Sequence, residues 1–140
     1  MIWKMRETDL ETVADIWLNT NIKAHGFISP QYWRSNFETV KKMLSEAELY
    51  VYADENGVQG FIGLDSDYIA GIFVRSEAQS SGIGKHLLDF VKTAKGQLTL
   101  NVYQKNKRAV KFYQREHFKI QCEKIDGNTG EKEYFMRWER

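Results

Sequence analysis

The sequence predicts one α/β (α+β) domain over residues 1–140, a mixed sheet with elements in the order β-α-α-β-β-β-α-β-α-β-β. Three observations carry that prediction. A chain of 140 residues is one domain in size and buries most of the surface its unfolded form exposes. A hydrophobic share of 42%, with 14% aromatic, supplies a core and excludes intrinsic disorder. Segments with the two-residue period of strands alternate with segments of helical period; hairpins dominate early and at the end, and helical crossovers come late.

Each element has a local reason. Ile2, Lys4 and Arg6 alternate with Trp3 and Met5, which reads as a short strand. Thr8-Asp9-Leu10-Glu11 fits a capping box, and Leu10, Val13, Ala14, Trp17 and Leu18 then share one helical face. Residues 19–27 read as a polar connection. Ser29-Pro30 combines a cap with a first-turn proline, opening a second helix whose buried stripe is Trp33, Phe37, Val40 and Leu44. Residues 49–54 and 58–65 read as strands joined by a tight hairpin at Asn56-Gly57. Residues 68–74 form another short strand. Ile83, Leu87, Leu88 and Val91 mark the apolar face of a helix that Gly96 is placed to stop. Residues 98–103 read as a strand and 107–116 as a helix. A last pair of strands, 118–125 and 133–138, flanks Asp126-Gly127-Asn128-Thr129-Gly130.

Composition narrows the function. Lys and Arg number 20 against 19 Asp and Glu, a net charge of +1, which gives no global reason to expect nucleic acid or an anionic membrane. No apolar run approaches the ~20 residues that span a bilayer, and the start Met1-Ile2-Trp3-Lys4-Met5-Arg6 lacks the apolar stretch of a signal peptide. The single cysteine, Cys122, makes neither a disulfide framework nor a zinc site by itself. The expectation is a soluble, cytoplasmic monomer or homodimer without a metal.

The informative segment is Gln79-Ser80-Ser81-Gly82-Ile83-Gly84-Lys85-His86, directly after the strand ending Phe73-Val74. A glycine loop feeding a helix start aims several backbone N–H groups at one point, where the helix dipole adds about half a positive charge. Gly82 and Gly84 let an anion come close to the main chain, Ser80 and Ser81 offer hydroxyls, and Lys85 offers a cation. This chemistry suits a phosphate or pyrophosphate. A Walker loop is excluded because position 79 is Gln and Lys85 is followed by His86; a dinucleotide fingerprint is excluded because position 87 is Leu.

Gln-x-x-Gly-x-Gly at 79–84, behind a strand ending Phe-Val, resembles the acetyl-CoA loop of the GNAT superfamily of N-acetyltransferases. Asn106-Lys107-Arg108-Ala109-Val110-Lys111-Phe112-Tyr113 resembles that family's second motif, Asn-x-x-Ala-x-x-Phe-Tyr, at its usual separation. The resemblance spans nearly the whole chain. His25-Gly26-Phe27-Ile28, Tyr32-Trp33 and the run from Asn101 to Asn106 are most similar to small stand-alone bacterial members. Two departures stand out. His117 precedes Phe118 where the family often has Gly, so a left-handed residue is expected there at a cost of about 1–2 kcal/mol. No glutamate stands where many members place a general base on the middle strands.

The resemblance implies the GNAT fold with splayed central strands, acetyl-CoA as cosubstrate and direct attack by an amine. Phe73 and Val74 would offer main-chain groups to the pantetheine arm, Gln79 and Ser80 would stand at the head of the loop, Ser81, Gly82, Ile83, Gly84 and Lys85 would take the pyrophosphate, and Asn106 would reach the pantetheine with its amide. Tyr113 would be the general acid: a thiol titrates at about 8–9 and a phenol near 10, so the phenol can donate as the sulfur leaves. The attacking ammonium must also lose a proton. His25 and Tyr68 are the acceptor-side candidates, Tyr68 with Asp65 and Asp67 near it in sequence. Tyr32 and Trp33 could wall the acceptor cleft, although Trp33 also fits a core stripe. Lys105-Asn106-Lys107-Arg108 reads as a solvated face or a contact for the 3′-phosphate. Cys122 has no motif around it that would support an acyl-cysteine route. The likeness to small bacterial members implies a protein lysine as acceptor, with a small-molecule amine or a non-catalytic acyl-CoA-binding module as alternatives.

Overall fold

The computed structural model describes all 140 residues. The strands are β1 (Ile2–Lys4), β2 (Glu48–Asp54), β3 (Gly57–Asp65), β4 (Tyr68–Val74), β5 (Gln97–Tyr103), β6 (Lys119–Ile125) and β7 (Lys132–Glu139). The helices are α1 (Leu10–Ala24), α2 (Pro30–Ser35), α3 (Phe37–Glu46), α4 (Ile83–Lys92) and α5 (Lys107–Arg115). The strands form one seven-stranded sheet in the order β1-β2-β3-β4-β5-β7-β6. Every neighbouring pair is antiparallel except β4 and β5.

That parallel pair makes the site. β4 and β5 are in register only at Tyr68↔Thr99 and Ile69↔Leu100, and from there they diverge. A register shift between Gly63 and Leu64 in the β3–β4 ladder bends β4 at the same level, as a bulge does. The splayed strands expected from the sequence are therefore present, with the fork opening toward Val74 and Tyr103.

Each sheet face has its own core. On one side α4 and α5 cover Ile62, Ile69, Leu98, Leu100, Val102, Met136 and Trp138. The α4 contribution is the predicted stripe: Ile83, Leu87, Leu88 and Val91 are all buried. On the other side α1 and α3 cover Leu49, Val51 and Phe61 through Val13, Ala14, Ile16 and Leu44. On that same face His25 and Phe27, just past the end of α1, pack against Tyr103 of β5.

Four local readings are corrected. The Thr8/Glu11 capping box does not form: a 3-10 turn over Glu7–Asp9 precedes α1. Asp9 does the work instead, its Oδ2 accepting from the Arg6 N–H at 3.0 Å and from Trp3 Nε1 at 3.2 Å. Residues 19–24, expected in a polar connection, continue α1. Thr20 Oγ1 donates back to the Ile16 carbonyl at 2.6 Å and Asn21 Nδ2 to the Trp17 carbonyl at 2.9 Å, so both polar groups are satisfied on a buried face. The second helix breaks at Asn36, which stands at φ −96°, ψ −1° between α2 and α3. Its Nδ2 donates to the Tyr32 carbonyl at 2.7 Å and competes there with the helical ladder. In the β2–β3 hairpin, Asp54 pairs with Gly57, so the turn is Glu55-Asn56 and Gly57 alone takes a positive φ of 100°. His117 stands at φ 73°, left-handed as expected.

Candidate active site

The glycine loop joins the open end of β4 to α4. Gly82 caps α4 at φ 84°, and Ser80 precedes it at φ 65°. The first main-chain bond of the helix is the His86 N–H to the Gly82 carbonyl, at 2.9 Å. The N–H groups of residues 80–85 donate to nothing inside the chain. They stand free at the positive end of a ten-residue helix, an arrangement able to take an anion. A Cβ on Gly82 would meet nothing within 4 Å, so that residue faces the open side. A Cβ on Gly84 would meet Phe112 Cζ at 3.4 Å, so Gly84 is instead where α4 and α5 approach each other. Ile83 is a core residue.

The charges at the loop differ from the expectation. Lys85, expected to add a cation to the loop, turns along α4 and pairs with Asp89 and Glu116, each at 3.2 Å. Arg108 of α5 takes its place. Its guanidinium donates to Gln79 Oε1 at 2.6 Å and to Ser80 Oγ at 2.9 Å. Gln79 Nε2 in turn donates to the Val74 carbonyl at 3.0 Å, tying the loop to the end of β4. The Ser81 hydroxyl donates to the Ala78 carbonyl. Sequence reading placed Arg108 in a basic run, as a solvated face or a contact for the 3′-phosphate, and not against the loop; helical spacing from Phe112 was the signal that could have aimed it there.

Beyond Ile69 the edge of β4 that faces β5 has no strand partner. The Arg75 N–H bonds to the Gln59 carbonyl at 2.9 Å. Counting back by the alternation of an antiparallel ladder, the main-chain groups of Phe73 turn to β3, and those of Ile72 and Val74 turn to the open edge. Val74 and Ile72, and not Phe73, thus turn main-chain groups to that edge, where the Val74 carbonyl already accepts from Gln79 Nε2. The Phe73 ring lies instead against Phe61, with centroids 5.0 Å apart.

Tyr113 reaches the fork from the α5 side. Its ring is wedged edge-on against Phe112 and Phe118, at 5.2 and 5.6 Å. The residue is only 7% exposed. Its hydroxyl has no partner in the chain, yet it is absent from the sealed unpartnered polar atoms, which are His25 Nδ1, Trp33 Nε1, Asn101 Oδ1 and Arg137 Nε. The oxygen is therefore buried but not wholly sealed. Burial, then the nearby Tyr68 phenol, push this hydroxyl well above the ordinary phenol range. It is fully protonated at neutral pH.

Tyr68 stands on the opposite face of the sheet, at the fork, and its oxygen accepts from Asn101 Nδ2 at 3.1 Å. Burial raises it above the ordinary phenol range. His25 does not offer a base. It ends α1 and stacks on Trp33 at 5.5 Å, with Tyr103 edge-on at 5.0 Å. Asn106 Nδ2, which can only donate, meets His25 Nε2 at 3.1 Å, so that lone pair is taken and the proton sits on the sealed Nδ1. Burial lowers the imidazole to about 4. Asn106, expected to reach the pantetheine arm, has its Oδ1 on the Ala109 N–H at 3.3 Å as the α5 cap, so only one amide hydrogen stays free. The residue clamps the end of α1 to α5.

The buried imidazole sets a pH dependence. Between about 4 and the ordinary 6.5 the unfolded chain binds a proton at His25 that the folded chain refuses. Stability from this group is thus present above 6.5, is lost as pH falls through that window, and changes no further below about 4. In urea titrations, wild type should lose more stability between neutral pH and the lower end of that window than His25→Phe does; equal losses would show that His25 is exposed.

The acetyltransferase (GNAT) domain model matches residues 45–120, more than half of the chain and inclusive of the loop, the fork and Tyr113. The chain is 33% identical over 122 residues to the peptidyl-lysine N-acetyltransferase YiaC of Escherichia coli K12, covering 86% of this chain and 84% of that one. It is 32% identical over 120 residues to the peptidyl-lysine N-acetyltransferase YjaB of Salmonella typhimurium LT2, covering 85% and 83%. In three dimensions it is similar to the apo-form solution structure of YjaB from Escherichia coli, with a TM-score of 0.88, 25% identity and coverage of 99% and 96%. It shares the fold of the PaiA N-acetyltransferase of Thermoplasma acidophilum, solved in complex with coenzyme A, with a TM-score of 0.83, 21% identity and coverage of 100% and 98%.

Proposed function

The chain belongs to the GNAT acetyltransferase family, and from that premise we propose that it transfers the acetyl group of acetyl-CoA to lysine side chains of proteins by direct attack. The observation that carries the reading is the fork: free amides at its mouth, a strand edge without a strand partner along one wall, and a phenol with no bond inside the chain behind it. In this reading the diphosphate sits on the amides of residues 80–85, with Arg108 supplying the cation. The pantetheine amides, spaced like a peptide, bond to the main chain of Ile72 and Val74 as an added strand would. The acceptor amine approaches from the Tyr68 face and attacks the thioester carbonyl.

Tyr113 donates to the departing sulfur. Its raised pKa keeps the donor form populated. The same apolar surroundings raise the thiol, so transfer between phenol and thiolate stays close to balanced. The lysine acceptor is supported by the printed activity of relatives at 33% and 32% identity. The test is a panel of lysine peptides and free amines, read by release of CoA thiol and by mass. Acetylated peptide lysines with slower turnover of free amines are expected. Turnover of free amines alone would assign a small-molecule acceptor, and no thiol release with any amine would leave an acyl-CoA-binding module.

A further inference from the structure

Two carboxylates on the acceptor side stand without a partner: Asp65, across the ladder from Tyr68, and Glu133; of these Asp65 is exposed while Glu133 is half-buried. Glu133 of β7 lies across the ladder from Tyr103 of β5 and from Lys124 of β6, so these side chains share a face of the sheet. It is the face that also carries Tyr68 and Asn101. Nearby acids are engaged: Glu131 pairs with Lys105 at 2.9 Å and Glu123 accepts from Gln104 Nε2 at 2.9 Å. Only the main-chain carbonyl of Glu133 accepts, from Gln104 Nε2 at 3.4 Å; its half-buried carboxylate has no hydrogen bond and no ion pair.

The titratable groups around it are Tyr103 from β5, Lys124 from β6, Asp126 from the hairpin, Tyr32 from α2 and Tyr68 from β4. Lys124 is drawn aside over the Phe135 ring, 4.8 Å from its centroid. Asp126 and Glu133 are pushed apart in basicity. Burial raises Asp126, but hydrogen bonds from Tyr103 Oη at 2.7 Å, the Asn128 N–H at 3.0 Å and Thr129 Oγ1 at 3.1 Å outweigh it and hold the group below the usual carboxylate range. Burial and then the charge of Asp126 push Glu133 up, against the pull of Lys124. Two acids whose surroundings separate them in this way are suited to different tasks, and the free, more basic one is Glu133.

Resting on the acetyltransferase reading, we propose that Glu133 is the catalytic base: it receives the acceptor's ammonium and takes its proton, directly or through one water. An N–H bond breaks, its proton goes to the carboxylate, and the freed electron pair attacks the thioester carbonyl carbon. Collapse of the adduct breaks the C–S bond, and the thiolate takes the proton of Tyr113. The nitrogen sheds its second proton, which restores Tyr113 through solvent, and Glu133 releases the first. The sum is an amide, the CoA thiol and one proton.

The test compares wild type and E133Q in kcat/KM for an unacetylated lysine peptide, with acetyl-CoA in excess, across the neutral to alkaline range. Because the carboxylate makes no bond in the chain, E133Q should keep the wild-type melting temperature and CoA affinity. Its activity should fall by about 100-fold near neutral pH. The loss should shrink to within about threefold as pH nears 10.4, where a lysine amine frees itself. A wild-type rate near neutrality, or a loss of one size at every pH, overturns the proposal. If E133Q melts early, the wild-type profile decides: an acid limb falling through a pKa above the usual glutamate range is expected, and its absence overturns the base. Wild type that acetylates no amine at any pH would instead sink the acetyltransferase reading.

Discussion

Tyr113→Phe is expected to lower kcat by about 100-fold or more while leaving acetyl-CoA affinity within about twofold. The ring is what the fold needs, since it fills the space between Phe112 and Phe118. Phenylalanine keeps that ring. The hydroxyl makes no bond inside the chain, so its removal leaves no buried group unsatisfied. What is lost is the donor facing the sulfur, and it is lost in the transition state, where the charge on sulfur develops. Steady-state kinetics with a lysine peptide as acceptor, beside calorimetry with CoA, separate the two quantities. A kcat within about threefold of wild type would take the acid role away from this residue.

Gly82→Val is expected to weaken CoA binding by about 100-fold. The residue stands at φ 84°, where a side chain costs about 1–2 kcal/mol and a β-branched one more. Its added carbons would project into open space beside the free amides of the loop, where the diphosphate is read to lie. Gly84→Ala is the control. Its Cβ would touch the Phe112 ring at an ordinary 3.4 Å and would not enter that space, so its CoA affinity should stay near that of wild type. Calorimetry on both variants, with thermal melts to show that each is folded, checks the assignment. Unchanged affinity in Gly82→Val would move the diphosphate elsewhere.

Features set by neighbours along the chain were legible before any coordinates. The stripe Ile83, Leu87, Leu88, Val91 is buried because helical spacing alone puts those residues on one side. The loop at Gly82 and the left-handed His117 follow from which backbone angles a residue tolerates at a helix end. The two motifs placed the fork and its phenol in the right element order. Capping was read less well, because Thr8 and Asp9 both suit a helix start, and the Trp3 indole, six residues back, helped decide for Asp9.

The charges and proton carriers followed a different logic. Nothing next to Lys85 or Arg108 in the sequence says which of them reaches the loop. Glu116, 31 residues from Lys85, draws the lysine away, and Arg108 crosses 29 residues to hold Gln79. His25 has the intrinsic pKa of a base, but Asn106, 81 residues on, occupies its nitrogen and the aromatic rings around it exclude the charge. Glu133 carries no local signal at all; it stands out only because strand pairing sets it on the Tyr68 face beside an acid already satisfied. Backbone conformation and amphipathic spacing are short-range properties, written in adjacent residues. Which polar group is free, paired or desolvated depends on segments that meet only when the sheet closes, and here that closure pairs Lys85, brings Arg108 to Gln79, occupies His25 and leaves Glu133 free.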